Sequence, residues 1–196
     1  MSIKKIKIFA ITGSTRKNSS NFKILKFISD NIKSQFELEI FEDLEEIPHF
    51  NTDLDNDFPP EKVISFRNKI VQADGILICT PEYIFSLPGS LKNALEWCVS
   101  TTIFSSKKVG LITASASGKM GHEQLLLIMK TIEAKFENNT QLLIGGIRGK
   151  MDEEGNIINK DTLNELQFFI SNFENQFSAD THTIEYKSSQ PNSTIL

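Results

Sequence analysis

Short, largely apolar runs alternate five times with segments whose apolar residues recur every three or four positions, and few folds satisfy that pattern. Ile6 to Ile11 is the first run, closed by Thr12-Gly13-Ser14, and Leu38 to Phe41, Gly75 to Thr80, Val109 to Thr113 and Leu142 to Ile144 follow. Helical spacing is carried in turn by Phe22, Leu25, Ile28 and Ile32, by Val63, Phe66 and Ile70, and by Leu91, Ala94, Leu95 and Cys98. It returns in Leu125, Met129, Ile132 and Phe136, and in Leu163, Leu166, Ile170, Phe173 and Phe177. A strand that is apolar on both faces must be covered on both, and each right-handed crossover lays a helix against one of them. The pattern therefore predicts an α/β domain over residues 1–178, a doubly wound five-stranded parallel sheet with helices on both faces. Residues 179–196 are polar with no sustained period and read as a tail. The acidic connection 42–60, with Pro48, Pro59 and Pro60, is the one long loop, and loops of that length are often functional.

A chain of 196 residues can bury a stable single core without disulfides or metal. Its 25 Asp and Glu against 21 Lys and Arg, a net charge of -4, argue against a nucleic-acid binder held by bulk electrostatics. Cys79 and Cys98 sit in apolar runs, as buried thiols of a reduced compartment do, which excludes a disulfide scaffold. The N-terminal apolar stretch is interrupted by Lys7 and is too short for a signal peptide, and no run is long enough for a membrane helix. The expected location is the cytoplasm, with no nucleic-acid or membrane partner.

In an open parallel sheet, ligands bind beyond the carboxyl ends of the strands, so the loops after the first, third and fourth strands carry the chemistry. The first, Gly13 to Asn18, has neither the G-x-G-x-x-G nor the G-x-x-x-x-G-K-[ST] spacing, and Gly149-Lys150 lacks the flanking residues of the latter. His122-Glu123 begins a zinc-protease pattern whose second His is replaced by Leu126, and no Cys and His spacing suggests a metal. Cys79 has no Arg in the following loop to hold a phosphate over it and reads as a core thiol.

What remains is an anion site of another kind. Ser14, Thr15, Arg16, Ser19, Ser20 and Asn21 lie between a strand and a helix, where hydroxyls, a guanidinium and free helix amides converge. The same loop also reads as a polar turn in which Ser19 or Ser20 is a plain helix cap. In the second loop, Thr80 to Gly89, two prolines stiffen a segment that sets Tyr83, Ile84 and Phe85 at the ligand edge. The third, Ala114 to Gly118, offers small residues and backbone amides.

Taken together, Gly13-Ser14-Thr15-Arg16-Lys17-Asn18-Ser19-Ser20-Asn21 and TPEYIFSLPGSLKNALEW from Thr80 to Trp97 resemble the flavodoxin-like NAD(P)H-dependent FMN reductases, which include quinone, azo-dye and chromate reductases. The family patterns are G-S-x-R-x-x-S-x-N and T-P-E-Y-N-x-S-x-P-G-x-L-K-N-A, followed by an acidic residue and Trp; Ile84 stands where the family has Asn. The resemblance implies that Ser14, Arg16, Ser19 and Asn21 hold the FMN phosphate. It implies that Pro81, Glu82, Tyr83, Ile84 and Ser86 line the ring and ribityl chain, and that Ser115, Ser117 and Gly118 meet the pyrimidine edge.

On that resemblance no side chain is expected to be catalytic in its own right, because the flavin carries the redox chemistry. NADPH or NADH would donate hydride, and a small oxidised acceptor such as a quinone, azo compound, free flavin or metal oxyanion would take it. A homodimer or homotetramer is implied. The alternatives are a flavodoxin-type electron carrier and a flavin-free regulatory domain of the same fold.

Overall fold

The computed structural model describes residues 5–188, with side chains described through residue 178. The apolar runs become β1 (Ile6–Thr12), β2 (Phe36–Phe41), β3 (Gly75–Thr80), β4 (Lys108–Ser115) and β5 (Gln141–Gly145). They pair in parallel in the order β2-β1-β3-β4-β5. Between them lie α1 (Ser20–Asn31), α2 (Glu61–Gln72), α3 (Gly89–Glu96) and α4 (Lys119–Thr131), and α5 (Lys160–Ser188) follows.

Alternation along each strand sorts the apolar side chains into two cores. Phe9, Ile11, Ile76, Ile78, Val109 and Leu111 face one side, packing with α2, α3 and α4 through residues such as Phe66, Leu91 and Met129. Ile8, Ala10, Leu77, Cys79, Ile112 and Ile144 face the other, against α1 and α5 through Leu25, Phe169 and Phe173. Gly110 in β4 lets α5 sit close, since a Cβ there would lie 2.9 Å from both the Phe169 and Phe173 rings. Because the chain leaves β1 toward β2 and returns on its other side as β3, the loops part at the carboxyl end of this pair and open a crevice.

Two helices depart from the apolar period. The expected stripe continued to Ile132 and Phe136, but α4 ends at Thr131; Glu133 takes a left-handed φ of 62° and Lys135 pairs with Lys108 as an extended bridge. Phe136 reaches the core from that extended segment, which mimics helical spacing. Conversely, α5 runs to Ser188, so the first ten residues of the expected tail, 179–188, continue the helix. Extending a formed helix needs only one hydrogen bond per residue and no apolar stripe. Residues 189–196 of that tail lie outside the described residues.

The long connection 42–60 is pinned by α2 and α3. The Asn93 amide accepts from Phe50 N at 2.7 Å and donates to the carbonyls of Ile47 (3.3 Å) and Pro48 (3.0 Å). Trp97 Nε1 donates to Pro48 O at 2.7 Å, and the Phe50 ring meets the indole edge-on at 5.1 Å. Arg67 donates through Nε to Trp97 O at 2.7 Å and through Nη2 to Asp55 Oδ1 at 2.7 Å and Ser100 Oγ at 3.2 Å.

Burial pushes the Asp55 carboxyl up, but hydrogen bonds from Arg67 and Ser100, with the Arg67 charge, carry it below its ordinary value. A depressed carboxyl stabilises the fold above its unfolded pKa and loses that contribution as pH falls through the folded one. Asp55→Asn is therefore expected to unfold at lower urea than the native protein at pH 7, with the gap closing below about pH 4. Urea midpoints across that range check this; a gap independent of pH contradicts it.

Candidate active site at the carboxyl edge of the sheet

Gly13 begins the site. Its N–H donates to Cys79 O at 2.8 Å, and a Cβ there would fall 2.2 Å from Thr80 Oγ1, so only glycine lets the first loop cross the end of β3. Ser19 then caps α1, its Oγ accepting from Phe22 N at 3.2 Å. Ser14 Oγ accepts from Arg16 N at 3.3 Å. Among the described residues both hydroxyls keep their own hydrogens free to donate, and the Ser20 and Asn21 amides find no acceptor. The exposed Arg16 guanidinium makes no hydrogen bond or ion pair among the described residues. Asn21 is spent inward: its Nδ2 donates to Ala114 O at 3.3 Å, and its Oδ1 accepts from Cys79 Sγ at 3.3 Å. It stitches the start of α1 to the ends of β3 and β4.

The second loop is a tight hairpin in which Tyr83 and Ser86 exchange backbone hydrogen bonds of 2.9 and 3.0 Å. Ile84 and Phe85 between them have φ of 49° and 57°. Glu82 turns toward α4, accepting from Gly118 N at 3.3 Å through Oε1 and from Gly121 N at 2.8 Å through Oε2. Gly118, the N-cap at φ 86°, has no side chain, so a carboxylate from another loop caps this helix and answers its dipole. Gln124 of α4 holds the tip, accepting from Ser86 Oγ at 2.5 Å and donating to Phe85 O at 3.1 Å.

These loops enclose a cleft of about 560 Å³. Of the residues expected at a ligand, Ser14, Arg16, Ser19, Asn21, Pro81, Glu82, Tyr83 and Ser115 border it. Ile84 is 95% exposed at the hairpin tip, Ser86 faces α4, and Ser117 and Gly118 lead into that helix; none of these borders the cleft. Gly146, Ile147, Arg148 and Gly149, after β5, border it without having been expected. The signal was available, because the carboxyl-edge rule applies to the fifth strand too and Arg148 is one of three arginines.

The charged side chains on the cleft are Arg16, Arg148 and Glu82, and the last is held by helix amides, so its unpaired charges are positive in an acidic chain. Burial pushes the Cys79 thiol far up and that of Cys98 up to about 12, so neither is a nucleophile. Among the described residues no three His, Cys, Asp or Glu side chains group to hold a metal ion. The arrangement suits a ligand with an anionic end and a flat apolar end.

A β-branched residue in the left-handed region is strained, whereas Asn enters it readily and is favoured in such hairpins. Ile84→Asn is expected to stabilise the protein by about 1 kcal/mol, raising Tm by about 2–4 °C. Calorimetry checks this; an unchanged or lower Tm contradicts it.

Residues 6–148 match the family model described as NADPH-dependent FMN reductase. The chain is 31% identical over 170 residues to the NADH:(hydroxy)cinnamate reductase subunit CrdA of Vibrio ruber, covering 84% of this chain and 83% of that protein. It is 31% identical over 175 residues to a 2-hydroxy-1,4-benzoquinone reductase of Burkholderia, covering 86% and 94%. Among solved structures, FerB, a flavoenzyme NAD(P)H:(acceptor) oxidoreductase from Paracoccus denitrificans, superposes with a TM-score of 0.64 at 22% identity, covering 85% and 94%. With the sheet order and the two loop patterns, these matches establish that the chain is an oxidoreductase belonging to the NADPH-dependent FMN reductase family.

Proposed function

We propose that the cleft holds FMN and serves the transfer of hydride from NAD(P)H to a small oxidised acceptor such as a quinone or an azo compound. The observation that carries this reading is the set of unspent donors on the cleft, the Ser14 and Ser19 hydroxyls, the Ser20 and Asn21 amides and the Arg16 guanidinium, together with the stiff loop of Pro81 and Tyr83 that borders the same cleft. Those donors match a phosphate, and Pro81 and Tyr83 offer a wall for a planar ring, so the residues present fit the cofactor. When bound, FMN supplies the redox chemistry, taking hydride from the nicotinamide and passing it on.

The chain itself binds, orients and shields. Glu82 locks the hairpin to α4, so the wall beside the ring and the small residues at 115–118 keep a fixed spacing. The Ser115 hydroxyl, donating to Glu82 O at 3.4 Å, ties the third loop to the same unit. The backbone amides of Ala116 and Ser117 in that loop would be available to the polar edge of a bound ring. Tyr83 is half exposed at the cleft, where reductant and acceptor would reach a bound ring in turn and solvent would supply any proton the acceptor needs.

The apolar surface around this loop suggests a partner copy. Tyr83, Ile84 and Phe85 are exposed at the hairpin, and Met120 and Leu127 are exposed on α4, which Gln124 joins to it. We read this face as the contact of a homodimer, alone or paired into a tetramer. The two unpaired, buried thiols fit a reducing cytoplasm. No helix among the described residues is long and apolar enough to cross a membrane.

The freshly purified protein is expected to be yellow, or to become so with FMN, and to lose its visible flavin absorbance when mixed anaerobically with NADPH or NADH in a stopped-flow instrument. Retained flavin that does not bleach points instead to an electron carrier, and a colourless protein that takes up no FMN removes the flavin reading altogether. Sedimentation at micromolar concentration should give twice the chain mass or four times it; a monomer refutes the interface.

A further inference from the structure

The turn after β5 brings to the cleft a side chain to which the reading above gives no work. Arg148 is exposed there, and its guanidinium makes no hydrogen bond or ion pair with the described residues. Arg67 is the opposite case, spent on Asp55, Ser100 and the Trp97 carbonyl. We infer that Arg148 is a second phosphate-binding residue of the cleft, taking a phosphate monoester from the β5 side as Arg16 can from the first loop. The inference rests on the flavin reading for the identity of its ligand.

Neighbouring strands lie about 4.8 Å apart, so β1 and β5, three spacings apart, would hold their loops about 14 Å from each other if both rose straight up. They do not. The first loop crosses β3 at Gly13, and Asn21 carries the start of α1 to Ala114 at the end of β4. From the other side, Gly146 N donates to Ala116 O at 2.9 Å, fixing the β5 turn to the third loop. Both arginine-bearing segments are thus drawn to the end of β4, and both border one cleft.

The turn is built as a support. Gly146 takes a left-handed φ of 64°, Ile147 is buried beneath it, and Gly149 N closes it by donating to Gly146 O at 3.0 Å. Gly149 has open space where a Cβ would stand and no left-handed φ, so sterics do not demand a glycine; its lack of a side chain leaves the wall low beside Arg148. The chain uses 18 lysines and three arginines, two of them on this cleft, and a guanidinium matches two phosphate oxygens at once where an ammonium is a point charge. Two monoesters have this chemistry in the proposed reaction: the 5′-phosphate of FMN and the 2′-phosphate of NADPH.

With three arginines, the side-chain Nε–H spectrum of 15N-labelled protein has three signals, assignable by single substitution, and Arg67 is the internal control. FMN is expected to move the Arg16 and Arg148 signals and riboflavin to leave Arg148 in place, with Arg148→Ala weakening FMN binding by about 10- to 100-fold, riboflavin binding unchanged and Arg148→Lys recovering part of the loss. If Arg148 instead moves only when adenosine 2′-phosphate, but not adenosine, is added to the FMN-loaded protein, the monoester is that of the reductant and the inference holds. An Arg148 signal unmoved by every probe while Arg16 responds, with Arg148→Ala binding FMN as the native protein does, overturns the inference and leaves the flavin reading standing. Should the native protein bind no FMN, the flavin reading falls, and inorganic phosphate alone then decides whether Arg148 binds this group or not.

Discussion

The crossing of Gly13 over the end of β3 governs the geometry of the whole site. The sheet is sealed on both faces by five helices, so polar chemistry can reach the backbone only where the strands end. At that edge the first loop would rise away from the third if residue 13 had a side chain, because Thr80 occupies the space. Its absence lets the loop fold across, carries the α1 N-terminus toward β4, and leaves Asn21 to bond both neighbouring strands. Asn21 thereby does more for the position of the donors than for the ligand, since its side chain is already committed to Ala114 and Cys79.

The run from Thr80 to Trp97, the most specific signature in the chain, divides into two parts with different duties. Its first half ends a strand and builds the hairpin wall, with Glu82 reaching α4 and Tyr83 reaching the cleft. Its second half never approaches the cleft. Asn93 and Trp97 hold the 42–60 connection by its carbonyls, and Arg67 with Asp55 completes the clamp. None of the residues from 42 to 60 borders the cleft, so a length that suggested a functional loop is explained by this anchoring. A motif match across both halves identifies a family while saying less about ligand contacts than its length suggests.

The same distinction explains how far the sequence could be read. Period and run length report burial, and burial is what orders the sheet, so strand number, parallel pairing and the sorting of helices to two faces were all legible. Phe136 misled because an extended segment packed on the core repeats the helical spacing by coincidence. The continuation of α5 beyond residue 178 was hidden because backbone hydrogen bonding leaves no mark in a polar sequence. At the site, eight residues expected at a ligand do border the cleft, but Ser86 and Gly118 are turned onto α4 and Ile84 points to solvent. Which way a loop side chain turns depends on partners such as Gln124 that lie far along the chain. Arg148 was missed for a simpler reason: it stands beside Gly149-Lys150, a two-residue match to a nucleotide loop whose flanking residues are absent, in the turn after a short strand.

Net charge is the property that least anticipates the cleft. A chain of -4 places two of its three arginines on one cleft, and the carboxylate that borders it, Glu82, is turned onto the amides of α4. The acidic surplus elsewhere lengthens the contrast and does not cancel it, because charges beyond about 8–10 Å are screened at physiological salt whereas those lining a low-dielectric crevice are screened much less. The charge that an anionic ligand would meet at this edge is therefore opposite in sign to that of the protein as a whole. That contrast is built from position alone. It requires the crossing at Gly13, the cap that Glu82 lends to α4 and the turn at Gly146 to hold at once, and each of these sets backbone geometry without a catalytic side chain.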